Sequence, residues 1–331
     1  MKYILSGAFA AILASFALGS GAAFAEPIKL ALTKSAVNIA GYIAKDEGIF
    51  EKNGLDVEVV LTASGAEANE LLAAGRVDGA TLGIGPTAIA WANGFKIWPV
   101  AKYGEGADVY SVMARADSDI NSLSDLAGKR VAVVKGTDPE TAFILGVEAA
   151  GKEYKDIQKL DTAWSEHASL LIRGDVDAAN TNEPFTSIIL RDFGDEVKLV
   201  TRLGEWYLNG GFVMVSDDIF EKDEAKAIAL SYWEAHALIR QYPEKAADTL
   251  VKWLDIDRDI AKDSLEHFIA NPLFGNRTIS DLGENFRILS EEGRIKAVPD
   301  YALMMEQSLK FQKVLLDDPA NAALVEGVRA Q

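Results

Sequence analysis

The side chains that most often perform acid–base or metal chemistry are sparse in this sequence. Its three histidines, His167, His236 and His267, fall in predicted helices and lie far apart along the chain. The sequence has no cysteine, which excludes thiolate nucleophiles, disulfides and cysteine-based metal sites. It also lacks the H-E-x-x-H motif of zinc proteases, the G-x-S-x-G motif of serine hydrolases and the Gly-Lys-Ser/Thr phosphate-binding loop of NTPases. We therefore expect no metal site and no cofactor, and a binding protein is favoured over an enzyme.

Two acidic residues are the remaining candidates for chemistry. Asp138 follows the β-branched run in "RVAVVKGTDPE", and Glu183 lies in "NEPF". The two carboxylates could form an acid–base pair across a cleft, or they could accept hydrogen bonds from a bound solute. The second role is simpler, and an enzyme is kept as the less favoured alternative. A structural or adhesive protein is disfavoured, because the chain has neither disulfides nor a low-complexity stalk.

The segment around Asp138 has the order strand, glycine turn and helix start, which is a common anion-binding arrangement. Asp138 followed by Pro139 fits an N-cap and first helical position, whereas Thr137 and Glu140 fit a capping box. Either arrangement gives the acids a structural role at the positive end of the helix. Free N–H groups of Gly136 and Thr137 could still face a ligand, but a bare anion is disfavoured beside these carboxylates.

The N-terminal residues predict export. A short basic start, Met1-Lys2, precedes an apolar run and the small-residue site Ala23-Phe24-Ala25, which is typical of a signal peptide at residues 1–25. A membrane anchor is the alternative, because the run approaches the ~20 residues that span a bilayer. The absence of cysteine argues against lipid anchoring. The formal net charge of −17 argues against nucleic acid and anionic membranes as partners.

The sequence repeats its own plan at a shift of 99 residues. The segment "ELLAAGRVDGATLG" (70–83) overlays "SLLIRGDVDAANTN" (169–182), and each predicts a helix, a glycine C-cap and a short strand. The preceding strands, "IKLALTKS" (28–35) and "RVAVVKGT" (130–137), also correspond at a nearby shift. The alternation of strands and helices predicts an α/β fold with parallel-type sheets covered by helices.

The repeat divides the predicted fold into two lobes. Lobe one comprises residues 26–103 together with 213–331, whose pattern is helical after Asp217, and lobe two comprises residues 111–201. Two crossings, 104–110 and 202–212, join the lobes and contain glycines that tolerate the backbone rotations of a hinge. Two independent domains joined by plain linkers are the alternative.

Several segments carry a family resemblance: "GYIAKDEGIFEKNGLDVEVV" (41–60), "GAEANELLAAGRVDGATLG" (65–83), "INSLSDLAGKRVAVVKGT" (120–137) and "NEPF" (182–185). Up to about residue 220 the chain resembles periplasmic solute-binding proteins of ABC importers. It is most similar to the nitrate/sulfonate/taurine-binding group, which includes binders of thiamine-pyrimidine precursors. The resemblance implies a type II-like two-lobed fold, hinge closure around a solute, a periplasmic location and ABC permease transmembrane subunits as partners. A monomer is expected.

Ligands of open parallel sheets lie beyond the carboxyl ends of the strands, and the repeat places three such loops on each lobe. Ser64 could simply cap a helix, and Lys34 could be solvated. The glycines at 83 and 85 loosely match a dinucleotide motif, but Pro86 and the predicted export disfavour that interpretation. The expected ligand-binding residues are Thr33, Lys34, Ser64, Gly65, Gly85, Thr87, Gly136, Thr137, Asp138, Trp164, Asn182, Glu183 and Tyr207.

The identity of the solute is left open between two classes. A small sulfonate or taurine-like compound is favoured by its frequency in the family that the chain resembles. A nitrogen heterocycle such as a thiamine-pyrimidine precursor is the alternative, and it would suit stacking on Trp164 with Glu183 and Asp138 as acceptors. Thr87 and Asn182 are expected to have equivalent roles. Asp138 is expected to cap its own helix, and Glu183 to have no structural role.

Overall fold

The computed structural model of the chain describes residues 26–106 and 108–328. The predicted signal peptide at residues 1–25 lies outside the described residues. So do residue 107 of the first predicted crossing and residues 329–331 of predicted lobe one. Among the described helices, none has the length and apolar composition that a membrane span needs.

The described residues form two β-sheets surrounded by helices. Numbered along the chain, the strands are β1 (Ile28–Thr33), β2 (Val57–Thr62), β3 (Gly79–Gly83), β4 (Ile97–Gly106), β5 (Tyr110–Arg115), β6 (Arg130–Val133), β7 (Gln158–Asp161), β8 (Ala178–Asn182), β9 (Val197–Arg202), β10 (Asn209–Ser216) and β11 (Phe268–Ile269). The α-helices are α1 (Ile39–Asp46), α2 (Ile49–Lys52), α3 (Gly65–Ala73), α4 (Ile84–Ala92), α5 (Asp138–Ala149), α6 (His167–Arg173), α7 (Phe185–Phe193), α8 (Asp217–Phe220), α9 (Asp223–Gln241), α10 (Pro243–Leu254), α11 (Arg258–Glu266), α12 (Asn276–Glu291), α13 (Tyr301–Leu316) and α14 (Pro319–Leu324). Short 3-10 turns lie at Ala36–Asn38, Leu123–Leu126, Tyr154–Asp156 and Trp164–Glu166.

The two sheets share one plan, and the predicted α/β class is confirmed. The first sheet has the order β11-β4-β10-β3-β1-β2, and the second has the order β7-β6-β8-β5-β9. Strand β1 is parallel to β2 and β3, as β6 is parallel to β7 and β8. Strand β10 is antiparallel to β3 and β4, and β5 is antiparallel to β8 and β9. Each sheet is therefore mixed around a parallel core of three strands.

The antiparallel strand of each sheet comes from the other half of the chain. Strand β5 follows β4 of the first sheet but pairs with β8, and β10 follows β9 of the second sheet but pairs with β3. A chain that arrives from the opposite sheet enters beside the carboxyl ends of the parallel strands and must run away from them. This exchange connects the sheets twice, at residues 106–110 and 202–209.

The sequence repeat has a physical counterpart in the Val-Asp pair that precedes each third strand. The carboxylate of Asp78 accepts a hydrogen bond from the backbone N–H of Lys29 at 2.8 Å. Asp177 accepts the equivalent bond from the N–H of Arg130, also at 2.8 Å. Each aspartate therefore fixes the start of the first parallel strand of its sheet, which explains why the same motif recurs in both halves.

The C-terminal helices contact both halves of the molecule. Helix α9 packs on α1 and β4 of the first sheet, while α12 packs on α4. Asn285 of α12 accepts a hydrogen bond from the hydroxyl of Thr141 in α5 at 2.9 Å. Beyond α12, Nη1 and Nη2 of Arg294 donate to the buried carboxylate of Glu140, at 2.6 and 2.8 Å. The segment after β11 is thus joined to α5 of the second half.

His167 is buried at the start of α6, and its ring nitrogens have no hydrogen-bond partner within the described residues. Burial lowers the pKa of His167 from its ordinary value of 6.5 to about 4. Since the folded chain holds the neutral ring, the stability that this group contributes is complete above pH 6.5. It is lost as the pH falls toward 4.

We expect His167→Leu to reduce the sensitivity of the fold to acid. At pH 5 the wild-type chain should have lost about 2 kcal/mol through this residue relative to pH 8, because only the unfolded chain protonates the ring readily. The variant has no such group and should be within about 1.5 kcal/mol of wild type at pH 8. Urea unfolding at both pH values measures the difference. An identical acid loss in both proteins would contradict the assignment.

Candidate functional site

A cleft lies between the two sheets, where the carboxyl ends of their parallel strands face each other. It has an empty volume of about 540 Å³, including the part open to solvent. Both halves supply its walls. The lining residues are Thr33, Ser35, Val37, Asn38, Gly65, Thr81, Gly83, Pro86, Tyr103, Val109, Tyr110, Thr137, Asp138, Pro139, Trp164, Asn182 and Glu183.

The structure brings together about half of the residues expected from the sequence. Those that line the cleft are Thr33, Gly65, Thr137, Asp138, Trp164, Asn182 and Glu183. Those that lie outside its lining are Lys34, Ser64, Gly85, Thr87, Gly136 and Tyr207. Lys34 is exposed to solvent. Ser64 caps α3, because its hydroxyl accepts a hydrogen bond from the N–H of Glu67 at 3.2 Å.

Thr87 does not have the role expected for it. Its side chain is buried, and its hydroxyl donates to the carbonyl oxygen of Gly83 within the first turn of α4, at 2.8 Å. The expected equivalence with Asn182 is therefore wrong. The position that corresponds to Asn182 is Gly83, since these two residues end β3 and β8, and both line the cleft.

Gly85, Gly136 and Tyr207 lie behind the cleft wall and not on it. Gly136 has a left-handed φ of 75°, and its N–H donates to the carboxylate of Glu140 at 2.7 Å. Tyr207 is buried, and its hydroxyl accepts a hydrogen bond from the side-chain amide of Asn285 at 3.0 Å. These residues support the loop that carries Thr137 and Asp138.

Asp138 caps a helix, but not the one that contains it. Helix α5 begins at Asp138, and no side chain caps its N-terminus. The carboxylate instead crosses the cleft and accepts hydrogen bonds from the N–H groups of Ile84 at 3.0 Å and Gly85 at 2.6 Å. These are the first N–H groups of α4, which follows the first sheet. The sequence predicted that Asp138 would cap α5, its own helix. The structure corrects this prediction, because Asp138 caps α4 in the opposite half of the molecule.

The environment of Asp138 disfavours its charge. Burial raises the pKa of Asp138 to about 7, although the hydrogen bonds from Gly85 and Ile84 favour the ionised form. A raised pKa means that this carboxyl stabilises the folded chain below its ordinary value of 3.8 and loses that contribution as the pH rises through about 7. Burial, and secondarily the charge of Asp138, raise the pKa values of Tyr103, Tyr110 and Tyr207 well above their usual range.

Glu183 has structural partners that the sequence did not reveal. One carboxylate oxygen accepts hydrogen bonds from the N–H and the hydroxyl of Ser187 in the first turn of α7, at 3.2 and 2.8 Å. The other oxygen pairs with the guanidinium of Arg202 at 3.0 Å. Glu183 is therefore a charge-compensated cap of α7 that also faces the cleft.

Some polar atoms of the cleft wall have no hydrogen-bond partner in the part of the chain that the structure describes. They are the side-chain oxygens of Asn38 and Asn182 and the indole nitrogen of Trp164. Asn38 was missed by the sequence analysis, because it follows β1 in the 3-10 turn and not in the strand-end loop. A lone asparagine within the apolar stretch "AVNIAGYIA" was the available signal. The side-chain NH₂ group of Asn38 donates to the carbonyl oxygen of Thr33 at 2.8 Å. The side-chain oxygen of Asn38 therefore points away from that bond.

The charged residues of the cleft lining are Asp138 and Glu183, and no lysine or arginine is among the described lining residues. The indole of Trp164 lies 6.3 Å from the ring of Phe185, between ring centroids, and supplies an aromatic wall. Within the described residues, no cluster of three histidine or acidic side chains could hold a metal ion. The arrangement suits a small molecule that donates hydrogen bonds and presents a flat or apolar face.

Comparisons with known proteins agree with this architecture. The model of the NMT1/THI5 like family matches residues 36–246. A Bacillus subtilis protein named for aliphatic sulfonate binding is 26% identical over 245 residues, 72% of each chain. The formylaminopyrimidine-binding protein of Halalkalibacterium halodurans is 23% identical over 223 residues, 66% of this chain and 67% of its own.

A solved structure shows the same fold. The periplasmic aliphatic sulphonate binding protein SsuA from Escherichia coli superposes with a TM-score of 0.74 at 21% identity, covering 83% of this chain and 90% of that one. This likeness confirms the predicted two-lobed periplasmic binding protein fold. Since the family model also matches more than half of the sequence, the chain belongs to the NMT1/THI5 like family.

Proposed function

We propose that this protein is the extracytoplasmic solute-binding component of an ABC importer and that its solute is a nitrogen-bearing molecule such as an aminopyrimidine. The observation that carries the choice of solute is the charge of the cleft wall, whose charged groups are the carboxylates of Asp138 and Glu183, with no lysine or arginine among the described lining residues. Its unpartnered polar atoms are the side-chain oxygens of Asn38 and Asn182, which accept hydrogen bonds, and the indole N–H of Trp164, which donates. Such a wall pairs with N–H donors, and Trp164 offers a ring for stacking.

A small sulfonate is the second candidate, because some relatives are named for sulfonate binding. A bare sulfonate would meet Asp138 without a lysine or arginine among the described lining residues to offset the repulsion, whereas the charge of Glu183 is offset by Arg202. A taurine-like compound is less disfavoured, since its ammonium group could pair with one carboxylate. One relative is named for binding formylaminopyrimidine, a nitrogen heterocycle.

The mode of action that we propose is capture by closure of the two halves. The segments at 104–110 and 202–212 would bend as hinges, and the closed form would dock on the transmembrane subunits of a permease. Removal of residues 1–25 would release the protein into the periplasm as a monomer without a lipid anchor. No chemical step is proposed.

We expect nitrogen heterocycles to stabilise the protein against heat and simple sulfonates not to do so. The screen compares formylaminopyrimidine and related aminopyrimidines with taurine, ethanesulfonate and nitrate in a thermal-shift measurement. A solute present at a hundredfold excess over its Kd adds about 2.7 kcal/mol of stability, which is readily detected. Stabilisation by ethanesulfonate and by none of the pyrimidines would contradict the proposed solute class. Turnover of any compound would contradict the assignment as a binding protein.

Asn182→Ala and Thr87→Ala should separate binding from folding. Loss of the unpartnered Asn182 oxygen should remove one neutral hydrogen bond to the solute, about 0.5–1.5 kcal/mol or roughly 2- to 13-fold in Kd. Thr87→Ala should lower the melting temperature, because it removes a buried bond to Gly83, and should leave the Kd unchanged. Calorimetry with the solute found by the screen tests both expectations. Equal affinity losses in the two variants would contradict them.

A further inference from the structure

The N-terminus of α4 is occupied by a negative charge that the protein itself supplies. Both oxygens of Asp138 accept hydrogen bonds from the backbone, one from Ile84 at 3.0 Å and the other from Gly85 at 2.6 Å. The carboxylate comes from α5, which follows β6 of the second sheet, whereas α4 follows β3 of the first sheet. The contact therefore joins the two walls of the cleft.

The backbone at this junction is shaped to fit the carboxylate. A Cβ atom on Gly83 would lie 2.2 Å from one oxygen of Asp138, a distance that no real side chain could adopt. A Cβ atom on Gly85 would lie 3.2 Å from the other oxygen. The two glycines that loosely resembled a nucleotide motif thus admit a side chain of the opposite half, and this close approach accounts for both of them.

Asp138 differs from Glu183 in the way its charge is balanced. Glu183 pairs with the guanidinium of Arg202. Within the described residues, Asp138 has no lysine or arginine partner, and its charge is balanced by backbone N–H groups and the hydroxyl of Tyr207. The N-terminal end of a helix binds carboxylates, phosphates and sulfate-like anions by the same partial charge and the same N–H groups. A solute anion would therefore compete with Asp138 for this position.

We propose that Asp138 is a specificity-determining residue that occupies the anion-binding end of α4 and so excludes sulfonate-type solutes from the cleft. This inference rests on the proposed solute-binding role. A solute with an anionic head would have to displace a carboxylate bound by two N–H groups, and the displaced charge would stay beside it. A solute that donates hydrogen bonds would not face this competition, because each carboxylate oxygen can accept more than one bond.

The test is a gain of sulfonate binding on removal of the carboxylate. Wild type, Asp138→Ala, Asp138→Asn and Glu183→Gln are titrated with ethanesulfonate by calorimetry at pH 8. Asp138→Ala empties the end of α4 and should bind ethanesulfonate at least about tenfold more tightly than wild type. Asp138→Asn loses the charge but keeps most of the volume, and it should show a smaller gain. Glu183→Gln is the comparison variant, since it removes a charge from the cleft wall and leaves α4 capped. It also frees the guanidinium of Arg202, so any gain that it shows is an upper bound on the general charge effect.

The outcomes are separable. A gain in the Asp138 variants alone supports the proposal. An equal gain in Glu183→Gln would show a general charge effect and overturn it, as would unchanged sulfonate affinity in a folded Asp138→Ala or Asp138→Asn. Thermal unfolding of each variant identifies those that are folded. A parallel titration of wild type with an aminopyrimidine tests the proposed solute independently of the role of Asp138. Failure of that titration contradicts the proposed solute, while the ethanesulfonate comparison still decides the role of Asp138.

Discussion

The cleft depends on one contact, the carboxylate of Asp138 on the first N–H groups of α4. It joins elements that belong to different sheets, and it leaves the charge buried without a cationic partner among the described residues. The surrounding structure serves this contact. Gly83 and Gly85 provide space for it, Tyr207 and Asn285 lie behind it, and the strand exchange at β5 and β10 holds the two sheets face to face.

The parts of the fold that the sequence predicted are those with local causes. Alternating β-branched strands and glycine-terminated helices identified the α/β class and the parallel core of each sheet. The 99-residue repeat predicted that β3 and β8 end at the same place relative to the cleft, as Gly83 and Asn182 do. Rules for strand ends then found seven lining residues, because the carboxyl ends of parallel strands meet at one edge of a sheet.

The parts that the sequence did not predict depend on contacts between distant segments. A capping preference places an aspartate near a helix start but does not say whose helix it caps, so Asp138 was assigned to α5 instead of α4. The compensation of Glu183 by Arg202 and the pairing of β10 with β3 and β4 have the same cause. The role of Thr87 was predicted wrongly because α4 begins at Ile84, directly after β3, so that Thr87 lies inside the helix and not in a loop. After β8, in contrast, a short loop precedes α7, which begins only at Phe185.

The most direct test of this account is the titration of the Asp138 carboxyl in the solute-free protein, followed by carbon NMR and assigned with Asp138→Asn. A carboxyl buried against α4 in solution should titrate with a midpoint at about 7. A carboxyl that faces water in an open cleft should titrate near 4, the usual value for aspartate. The first result would show that the carboxyl is buried, as its contact with α4 requires. The second would contradict the contact on which the described cleft depends.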